Sequence, residues 1–393
     1  MRKELEDREH RFLMQTYRRS EIDLVRGEGP LLFDSEGKEY LDFLSGIAVT
    51  SLGHCHPELV ETASSQMAEL DHVSNLFFSE PMVDLAERLS VGSIGGPVFF
   101  CNSGTEANEC AIKVARKHAS RRGIASPEII TFKGGFHGRS YGALSATPAM
   151  AADEALAPML PGFVAVDFDD PEALANAFTD NTAAVMMETI QGEAGVFPFS
   201  AETLVAARDL TREAGALLVF DEVQAGVGRT GSLWSFQQGP VQPDLMTSSK
   251  ALGGGFPIGA CVASRETGQV LEAGDHGSTF AGGPVASRVA AKVLDLIDRP
   301  ELLHRVRELG ERIRSGLEGV DGVVEVRGRG LMLGVGLDDG LDGPGIRDSL
   351  LAKGLILNSP RPDTLRLLPT FVMSDRQADD GVGLIADAIG EAS

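Results

Sequence analysis

Cysteines, positive charges and long hydrophobic runs are all scarce in this sequence of 393 residues. The only cysteines are Cys55, Cys101, Cys110 and Cys261. They form no C-x-x-C pair and no cluster with zinc spacing, so we expect free thiols and no bound metal. No apolar run approaches the roughly 18 residues that a membrane-spanning helix needs. The charged amino terminus lacks the hydrophobic core of a signal peptide, and together these absences predict a cytoplasmic protein.

Acidic residues outnumber basic ones by 57 to 35, which gives a formal net charge of −22. Nucleic-acid phosphates attract basic surfaces, so this balance argues against a nucleic-acid partner. Binding of a small anionic substrate would need arginines at the site, because the net negative charge of the protein repels anions. The hydrophobic fraction of 43% is ordinary for a soluble globular protein. The length predicts about two or three domains.

Short apolar runs alternate with helical patterns through the middle of the chain. Several runs are apolar on both sides, as buried parallel strands are. One unit is complete, with a strand at 182–188, a helical stripe from Leu204 to Ala214, a helix stop at Gly215 and a strand at 216–221. This βαβ crossover predicts an α/β protein with a mostly parallel sheet. The seven strand candidates are residues 97–101, 128–132, 163–166, 182–188, 216–221, 244–247 and 258–263.

The pattern changes after about residue 285. An amphipathic helix with apolar residues from Leu302 to Leu317 precedes short strand candidates, as in an α+β domain. Strand-like pieces near the amino terminus lack a crossover helix, and we expect them to pack with this second domain. These candidates are residues 323–326, 331–335 and 365–368, with 31–34 and 39–43 near the amino terminus. We predict an N-terminal segment of residues 1–54, a large domain of 55–284 and a small domain of 285–393.

Lys250 lies among small residues, with two serines before it and three glycines shortly after it. Such a lysine can approach a flat aromatic aldehyde and bond to it through its amine. Asp221 ends an apolar strand, where its carboxylate can hold a ring nitrogen protonated. Together these are the two requirements of a pyridoxal 5'-phosphate (PLP) site. As a general base, Lys250 would need a pKa well below the usual ~10.4.

Two further motifs follow strand ends. Ser103 and Glu106 match an S-x-x-E capping box around Gly104 and Thr105, and a helix N-terminus of this kind can bind phosphate. An ordinary capped helix has the same pattern, so this motif indicates a phosphate site only in combination with Lys250.

Phe136 can stack on a pyridine ring, and Arg139 can bind a carboxylate with both ends of its guanidinium. A lone arginine more commonly forms a surface salt bridge, but the glycines around this one indicate a shaped loop. Glu188 and Glu193 follow another strand end, where ligands bind in parallel sheets, although either could be a polar loop residue.

The segment 226–231 fits G-x-G-x-x-G. In a dinucleotide-binding fold these glycines follow the strand directly and open a helix. Here residues 221–225 intervene, so the motif does not favour a nicotinamide cofactor.

With these motifs the chain resembles the class III (subgroup II) aminotransferases, PLP enzymes of fold type I, and among them the acetylornithine aminotransferases. The resemblance covers nearly the whole chain, and the set of stretches is specific where any single one is not. It includes residues 24–29, 45–49, 72–77, 100–111, 136–147, 221–231, 250–259, 276–280 and 327–333.

The resemblance implies a role for each site residue. Lys250 and Asp221 would be catalytic, with Phe136 stacked on the ring and Gln224 at its hydroxyl. The other cofactor-binding residues would be Ser103, Gly104, Thr105, His137, Glu188, Val223 and Thr279, the last contributed by the partner subunit of a homodimer. The substrate-binding residues would be Tyr17, Arg139, Glu193, Ser278 and Arg366, with Glu193 covering Arg366 until 2-oxoglutarate enters. No metal is implied.

The expected reaction moves the terminal amino group of N-acetylornithine to 2-oxoglutarate in two half-reactions, in arginine biosynthesis. Ornithine, succinyl-diaminopimelate, γ-aminobutyrate and a carrier-linked lysine remain alternative donors. A glutamate-semialdehyde type mutase, a PLP-fold protein without turnover and an NAD-dependent dehydrogenase are more distant alternatives. The sequence departs from the family at Thr189, at Ala281-Gly282-Gly283 and at Thr370. Ile47 replaces the tyrosine of ornithine δ-aminotransferases, which favours an acylated or longer substrate.

Overall fold

The structure is a computed structural model that describes residues 2–392. The chain begins with a helix and three strands. Their bounds are α1 Arg2–Phe12, β1 Leu24–Glu28, β2 Leu31–Asp34 and β3 Glu39–Asp42, followed by the one-turn element α2 at Ser45–Ala48. All four residues of α2 have positive φ, a conformation that costs about 1–2 kcal/mol for each non-glycine residue. Strands β1, β2 and β3 are antiparallel neighbours.

The central part of the chain alternates strands and helices. Its elements are α3 Pro57–Glu69, α4 Glu80–Val91, β4 Val98–Cys101, α5 Gly104–Arg121, β5 Glu128–Phe132, α6 Tyr141–Ser145, α7 Pro148–Ala151, β6 Phe163–Val166, α8 Pro171–Asn176, β7 Thr182–Glu188, β8 Ile190–Gln191, β9 Phe197–Pro198, α9 Ala201–Ala214, β10 Leu217–Asp221, β11 Leu245–Ser248, β12 Gly259–Ala263 and α10 Pro284–Ile297.

Seven of these strands form one sheet in the order β4-β12-β11-β10-β7-β5-β6. All neighbours are parallel except β12, which is antiparallel to both β11 and β4. The predicted mostly parallel sheet of seven strands is therefore confirmed. Strand β7, helix α9 and strand β10 form the predicted βαβ unit, and Gly215 ends α9 with φ +62°.

Alternate residues of the central strands pack on opposite faces. Leu218 and Phe220 of β10 join the core that contains Leu204 of α9, whereas Leu217 and Val219 join the core that contains Ala111 of α5. Helices therefore cover both faces, and the strands are apolar on both sides because both are buried. By the same alternation Asp221, at the end of β10, faces α5.

The rest of the chain folds into helices and short strands. These are α11 Pro300–Leu317, β13 Val323–Arg329, β14 Met332–Leu337, α12 Gly343–Ala352, β15 Leu355–Ile356, β16 Asn358–Arg361, β17 Thr364–Leu367 and α13 Asp375–Ala392. Strands β13, β14, β17 and β16 form an antiparallel sheet in that order. Strand β15 instead pairs in parallel with β3, which joins the two ends of the chain in one sheet. The domain boundaries stay a prediction.

Candidate active site

A cavity of about 460 Å³ opens at the carboxyl ends of β7 and β10 and at the N-terminus of α5. Ligands bind at this edge of parallel sheets because the loops there diverge. The cavity gathers most of the predicted site residues. Those that line it are Ser103, Gly104, Thr105, Phe136, His137, Arg139, Glu188, Asp221, Val223, Gln224 and Lys250.

Lys250 follows β11 at the start of a single 3₁₀ turn and has a φ of +46°. Burial lowers the pKa of its amine, and the positive charge of Arg366 adds to this, although the carboxylates of Glu193, Asp221 and Glu188 oppose it. The lowered pKa is the direction that a general base acting near neutral pH requires.

Asp221 is buried and held by three hydrogen bonds. His137 Nδ1 lies 2.8 Å and Asn108 Nδ2 2.7 Å from its Oδ2, and the backbone N–H of Val223 donates to its Oδ1 over 3.0 Å. Burial alone would lower the pKa of His137, but the hydrogen bond and charge of Asp221 outweigh it and raise that pKa. The carboxylate is thus fixed against rotation at the floor of the cavity.

The N-terminus of α5 forms a small polar cradle. Ser103 Oγ accepts a hydrogen bond from the backbone N–H of Glu106 over 3.4 Å, as the capping box predicts. Thr105 Oγ1 accepts from the backbone N–H groups of Arg139 and Ser140, each over 3.2 Å. A Cβ on Gly138 would lie 2.2 Å from Thr105 Oγ1, so only glycine lets this loop approach the helix.

These residues fit the shape and charge of PLP. A helix N-terminus with hydroxyl groups can bind the phosphate, an aromatic side chain lines the wall, and a lysine and an aspartate share the cavity. Thr105 occupies the place that a Cβ on Gly138 would need, so the glycine keeps this loop and its backbone N–H groups close to the N-terminus of α5. The arrangement therefore provides each type of contact that the cofactor requires.

Phe136 and Glu188 are linked across the cavity wall. The backbone N–H of Phe136 donates to Glu188 Oε2 over 3.1 Å, and the guanidinium of Arg139 lies 5.6 Å from the centre of the Phe136 ring. Burial raises the pKa of Glu188 to about 7, even though His137 and two backbone donors favour its charged form. Burial thus favours the neutral form of the Glu188 carboxyl.

Glu193 and Arg366 form an ion pair beside the cavity, with 2.6 Å between Glu193 Oε1 and Arg366 Nη1. Gln224 connects this pair to the cavity, since its Nε2 donates to Glu193 over 3.3 Å and its Oε1 accepts from Arg366 over 3.0 Å. Burial alone would raise the pKa of Glu193, but the charge and hydrogen bond of Arg366 lower it. The sequence analysis predicted contact between Glu193 and Arg366, and the two side chains are in contact in the structure.

Besides Glu193 and Arg366, which lie beside the cavity, three predicted residues do not line it. Tyr17 is 74% exposed and lines a separate cavity formed by residues 5–23, because this segment packs on itself away from Lys250. Thr279 is exposed, and Ser278 reaches the site only through Asn102, whose Nδ2 donates to Ser278 Oγ over 2.9 Å. Within one chain, Tyr17 and Thr279 are therefore not part of the site.

The structure also shows polar residues that the sequence reasoning missed. Asn102 and Asn108 line the cavity, and Thr247 lies behind Asn108. The signal for Asn108 was its position four residues after Gly104, which places both on one face of α5. The G-x-G-x-x-G segment forms turns and opens no helix. No cluster of metal-binding side chains and no helix able to span a membrane occur within residues 2–392.

Comparison with known proteins gives consistent matches. The family model for "Aminotransferase class-III" matches residues 13–389. The acetylornithine aminotransferase of Caldanaerobacter subterraneus is 45% identical over 98% of both chains, and that of Streptomyces coelicolor is 44% identical over 99% of this chain and 96% of that one.

Solved structures of aminotransferases are also similar to this chain. The N-acetylornithine aminotransferase of Stenotrophomonas maltophilia has a TM-score of 0.85 and 37% identity over 98% of both chains. The ornithine aminotransferase of Toxoplasma gondii has a TM-score of 0.95 and 31% identity over 100% of this chain and 95% of that one.

Proposed function

The chain belongs to the class-III aminotransferases, and from this premise we propose that it transfers the terminal amino group of N-acetylornithine to 2-oxoglutarate. The family assignment confirms the resemblance found in the sequence, and it makes the chain a PLP-dependent transaminase. The observation that carries the proposal is the meeting of Lys250, Asp221 and the N-terminus of α5 in one cavity.

PLP, when bound, supplies an electron sink for the substrate carbon that loses its proton. We propose that Lys250 would hold the cofactor through its amine and, when that amine is free, would move the proton at that carbon. Asp221 holds the ring nitrogen protonated, and the N–H groups and hydroxyls of residues 103–105 bind the phosphate. Phe136 packs against the ring and Gln224 contacts its hydroxyl. Ser103, His137, Glu188 and Val223 complete the cofactor contacts.

The two substrates differ in charge, and the Glu193–Arg366 pair suits that difference. N-acetylornithine carries one carboxylate, whereas 2-oxoglutarate carries two. We assign one carboxylate of either substrate to Arg139, the exposed guanidinium at the mouth of the cavity. In the first half-reaction Glu193 covers Arg366, and in the second it withdraws so that Arg366 binds the additional carboxylate.

We further propose a homodimer in which Thr279 of each chain completes the site of the other. Apolar side chains on the exposed surface support this, since Phe77 is 67%, Phe78 102% and Phe280 68% exposed. Asn75 Nδ2 donates to the carbonyl of Ala281 over 3.0 Å, which keeps the two apolar segments together beside Thr279. Substituting Phe78→Ser should give monomers in light scattering, and Thr279→Ala should weaken PLP binding while the dimer remains.

A cytoplasmic location and a part in arginine biosynthesis go with this proposal. The four cysteines are free thiols, which fits a reducing compartment. Relatives from several organisms carry the name acetylornithine aminotransferase. Complementation of an arginine-requiring strain that lacks this activity tests the biosynthetic role, and a fractionated extract tests the location.

The decisive experiment is the absorbance spectrum of the purified protein with PLP, recorded before and after each substrate. We expect the visible band of the bound cofactor to bleach with N-acetylornithine and return with 2-oxoglutarate. If the band bleaches instead with ornithine, γ-aminobutyrate or succinyl-diaminopimelate, that compound is the amino donor in place of N-acetylornithine. No band after incubation with PLP would overturn the proposal, and a response to NADH would point to a dehydrogenase.

A further inference from the structure

Asn108 connects three elements beneath the cavity. Its side-chain nitrogen Nδ2 donates to Asp221 Oδ2 and to the carbonyl of His137, both over 2.7 Å. Its side-chain oxygen Oδ1 accepts from the hydroxyl of Thr247, also over 2.7 Å. Asn108 is 1% exposed and Thr247 is fully buried, so water does not compete for these bonds.

The strand pattern explains why these side chains meet. Asp221 on β10 is the parallel partner of Thr247 on β11. Val219 and Leu245 pack on the face of the sheet that α5 covers. Asp221 and Thr247 lie two residues further along the same strands, so they face α5 as well. Asn108 is the α5 residue that lies between them.

The chemistry of the three partners fixes the orientation of the Asn108 amide. The His137 carbonyl and the Asp221 carboxylate can only accept hydrogen bonds here, so the amide nitrogen must face them. The amide oxygen then faces Thr247, whose hydroxyl is the one partner of the three that can donate. Thr247 is therefore the group that holds Asn108 in its donating orientation.

Asp221 has acceptor capacity for about four hydrogen bonds, and the structure fills three of them, from His137, Asn108 and Val223. The remaining capacity is what a protonated ring nitrogen would use. Without the Asn108 donor, only His137 on one oxygen and Val223 on the other would hold the carboxylate, so its orientation would be fixed less firmly.

We propose that Asn108 and Thr247 are positioning residues for the cofactor: Thr247 orients the Asn108 amide, and Asn108 holds the Asp221 carboxylate in the orientation that binds the ring nitrogen of PLP. This deepens the proposed function and rests on it. Neither residue touches the reacting atoms in this assignment, and both act through Asp221.

The test uses the holoenzyme with PLP labelled with ¹⁵N in the ring. The ¹⁵N chemical shift reports the protonation of the ring nitrogen, and equilibrium dialysis gives the PLP dissociation constant. Thr247→Val removes the hydroxyl and keeps the shape, while Thr247→Ser keeps the hydroxyl. Thr131→Val is the matched control, because Thr131 is a buried threonine of β5 in the same sheet whose hydroxyl has no hydrogen-bond partner.

We expect Thr247→Val to weaken PLP binding about tenfold and to move the ¹⁵N signal towards the unprotonated nitrogen. Thr247→Ser should restore both to within about twofold of wild type, and Thr131→Val should change neither. Equal ¹⁵N shifts and PLP affinities for Thr247→Val and Thr131→Val would overturn the inference, even if both melt at lower temperature. Failure of the wild type to bind PLP would overturn the proposed function itself.

Discussion

Glu193 pairs with one nitrogen of the Arg366 guanidinium and leaves another without a hydrogen-bond partner. The contact between Glu193 Oε1 and Arg366 Nη1 is 2.6 Å, whereas Nη2 is buried and unpaired. Arg366 is completely buried, and an unpaired buried N–H group costs roughly 1–3 kcal/mol. A carboxylate that displaced Glu193 and bound both nitrogens would recover that energy.

Glu193→Gln should alter the choice between substrates more than the binding of PLP. The variant keeps the shape but leaves the Arg366 charge uncovered beside an acetylated donor. We expect the second-order rate constant for N-acetylornithine to fall about tenfold and that for 2-oxoglutarate to change by less than about threefold. Stopped-flow absorbance of each half-reaction measures both. Glu325→Gln, which breaks the pair between the exposed Glu325 and the largely buried Arg327, is the control. Loss of PLP from Glu193→Gln would contradict the covering role.

Arg139→Ala should weaken substrates while PLP stays bound. The exposed guanidinium of Arg139 lies beside Phe136 at the cavity mouth, where it can bind a substrate carboxylate with two hydrogen bonds. We expect at least about a hundredfold loss in kcat/KM for either substrate and a PLP affinity within about threefold of wild type. Arg139→Lys, which keeps the charge without the fork, should be intermediate. Equal losses in substrate and PLP affinity would assign Arg139 a structural role.

Gly138→Ala should impair the cradle at the N-terminus of α5. The new Cβ would lie 2.2 Å from Thr105 Oγ1, at a φ of +138° that disfavours alanine. We expect PLP affinity to fall at least about tenfold, since either the loop or Thr105 must move. Equilibrium dialysis measures the affinity. Gly383→Ala in α13, where a Cβ meets no atom within 4 Å, should bind PLP as wild type does. If Gly138→Ala binds PLP with wild-type affinity, the cradle does not contribute to the cofactor site.

Glu222 should make the protein less stable as pH rises from about 4.5 to about 7. Burial raises the pKa of Glu222 from 4.5 to about 7, and the charge of Asp221 adds to this, against the N–H groups of Ser235 and Phe236. In that window the folded state holds a proton that the unfolded state has lost, so the free energy of unfolding declines as pH increases and the loss is complete above pH 7.

The measurement compares urea unfolding of wild type and Glu222→Gln at pH 5 and pH 8. Because glutamine does not titrate, the difference in the free energy of unfolding should shift by up to about 3 kcal/mol in favour of the variant at the higher pH. Other titrating groups are common to both proteins and cancel. A difference that stays constant with pH would show that Glu222 remains charged throughout.

The apolar runs in the sequence predicted the central sheet closely. Residues 128–132, 163–166 and 182–188 coincide with β5, β6 and β7, and the other four candidates differ by one residue at one or both ends. Buried parallel strands are apolar on both faces, so their pattern is visible without any knowledge of neighbours. The sequence did not indicate β1 or β16, which carry exposed and charged residues and are strands because of what they pair with.

The site residues also separate into those whose positions the sequence predicted and those it could not predict. The positions of Lys250, Asp221 and Thr105 could be predicted because each lies at the end of a strand or shortly after it, and the carboxyl ends of parallel strands meet at one edge of a sheet. Tyr17 could not, since its position depends on an exposed segment that touches little of the core. The role of Thr247 could not be predicted either, because it depends on how a helix and two strands pack together in space.

The pairing of β3 with β15 has a consequence for how the protein is made. Leu41 leaves the ribosome early, but its partner Leu355 is synthesised roughly three hundred residues later. The first sheet therefore keeps an open edge while the whole central sheet is being translated, and closing so long a loop is entropically costly and slow. This sheet should thus acquire its last strand only after the central sheet has been made, at about the time that the segment carrying Arg366 is synthesised.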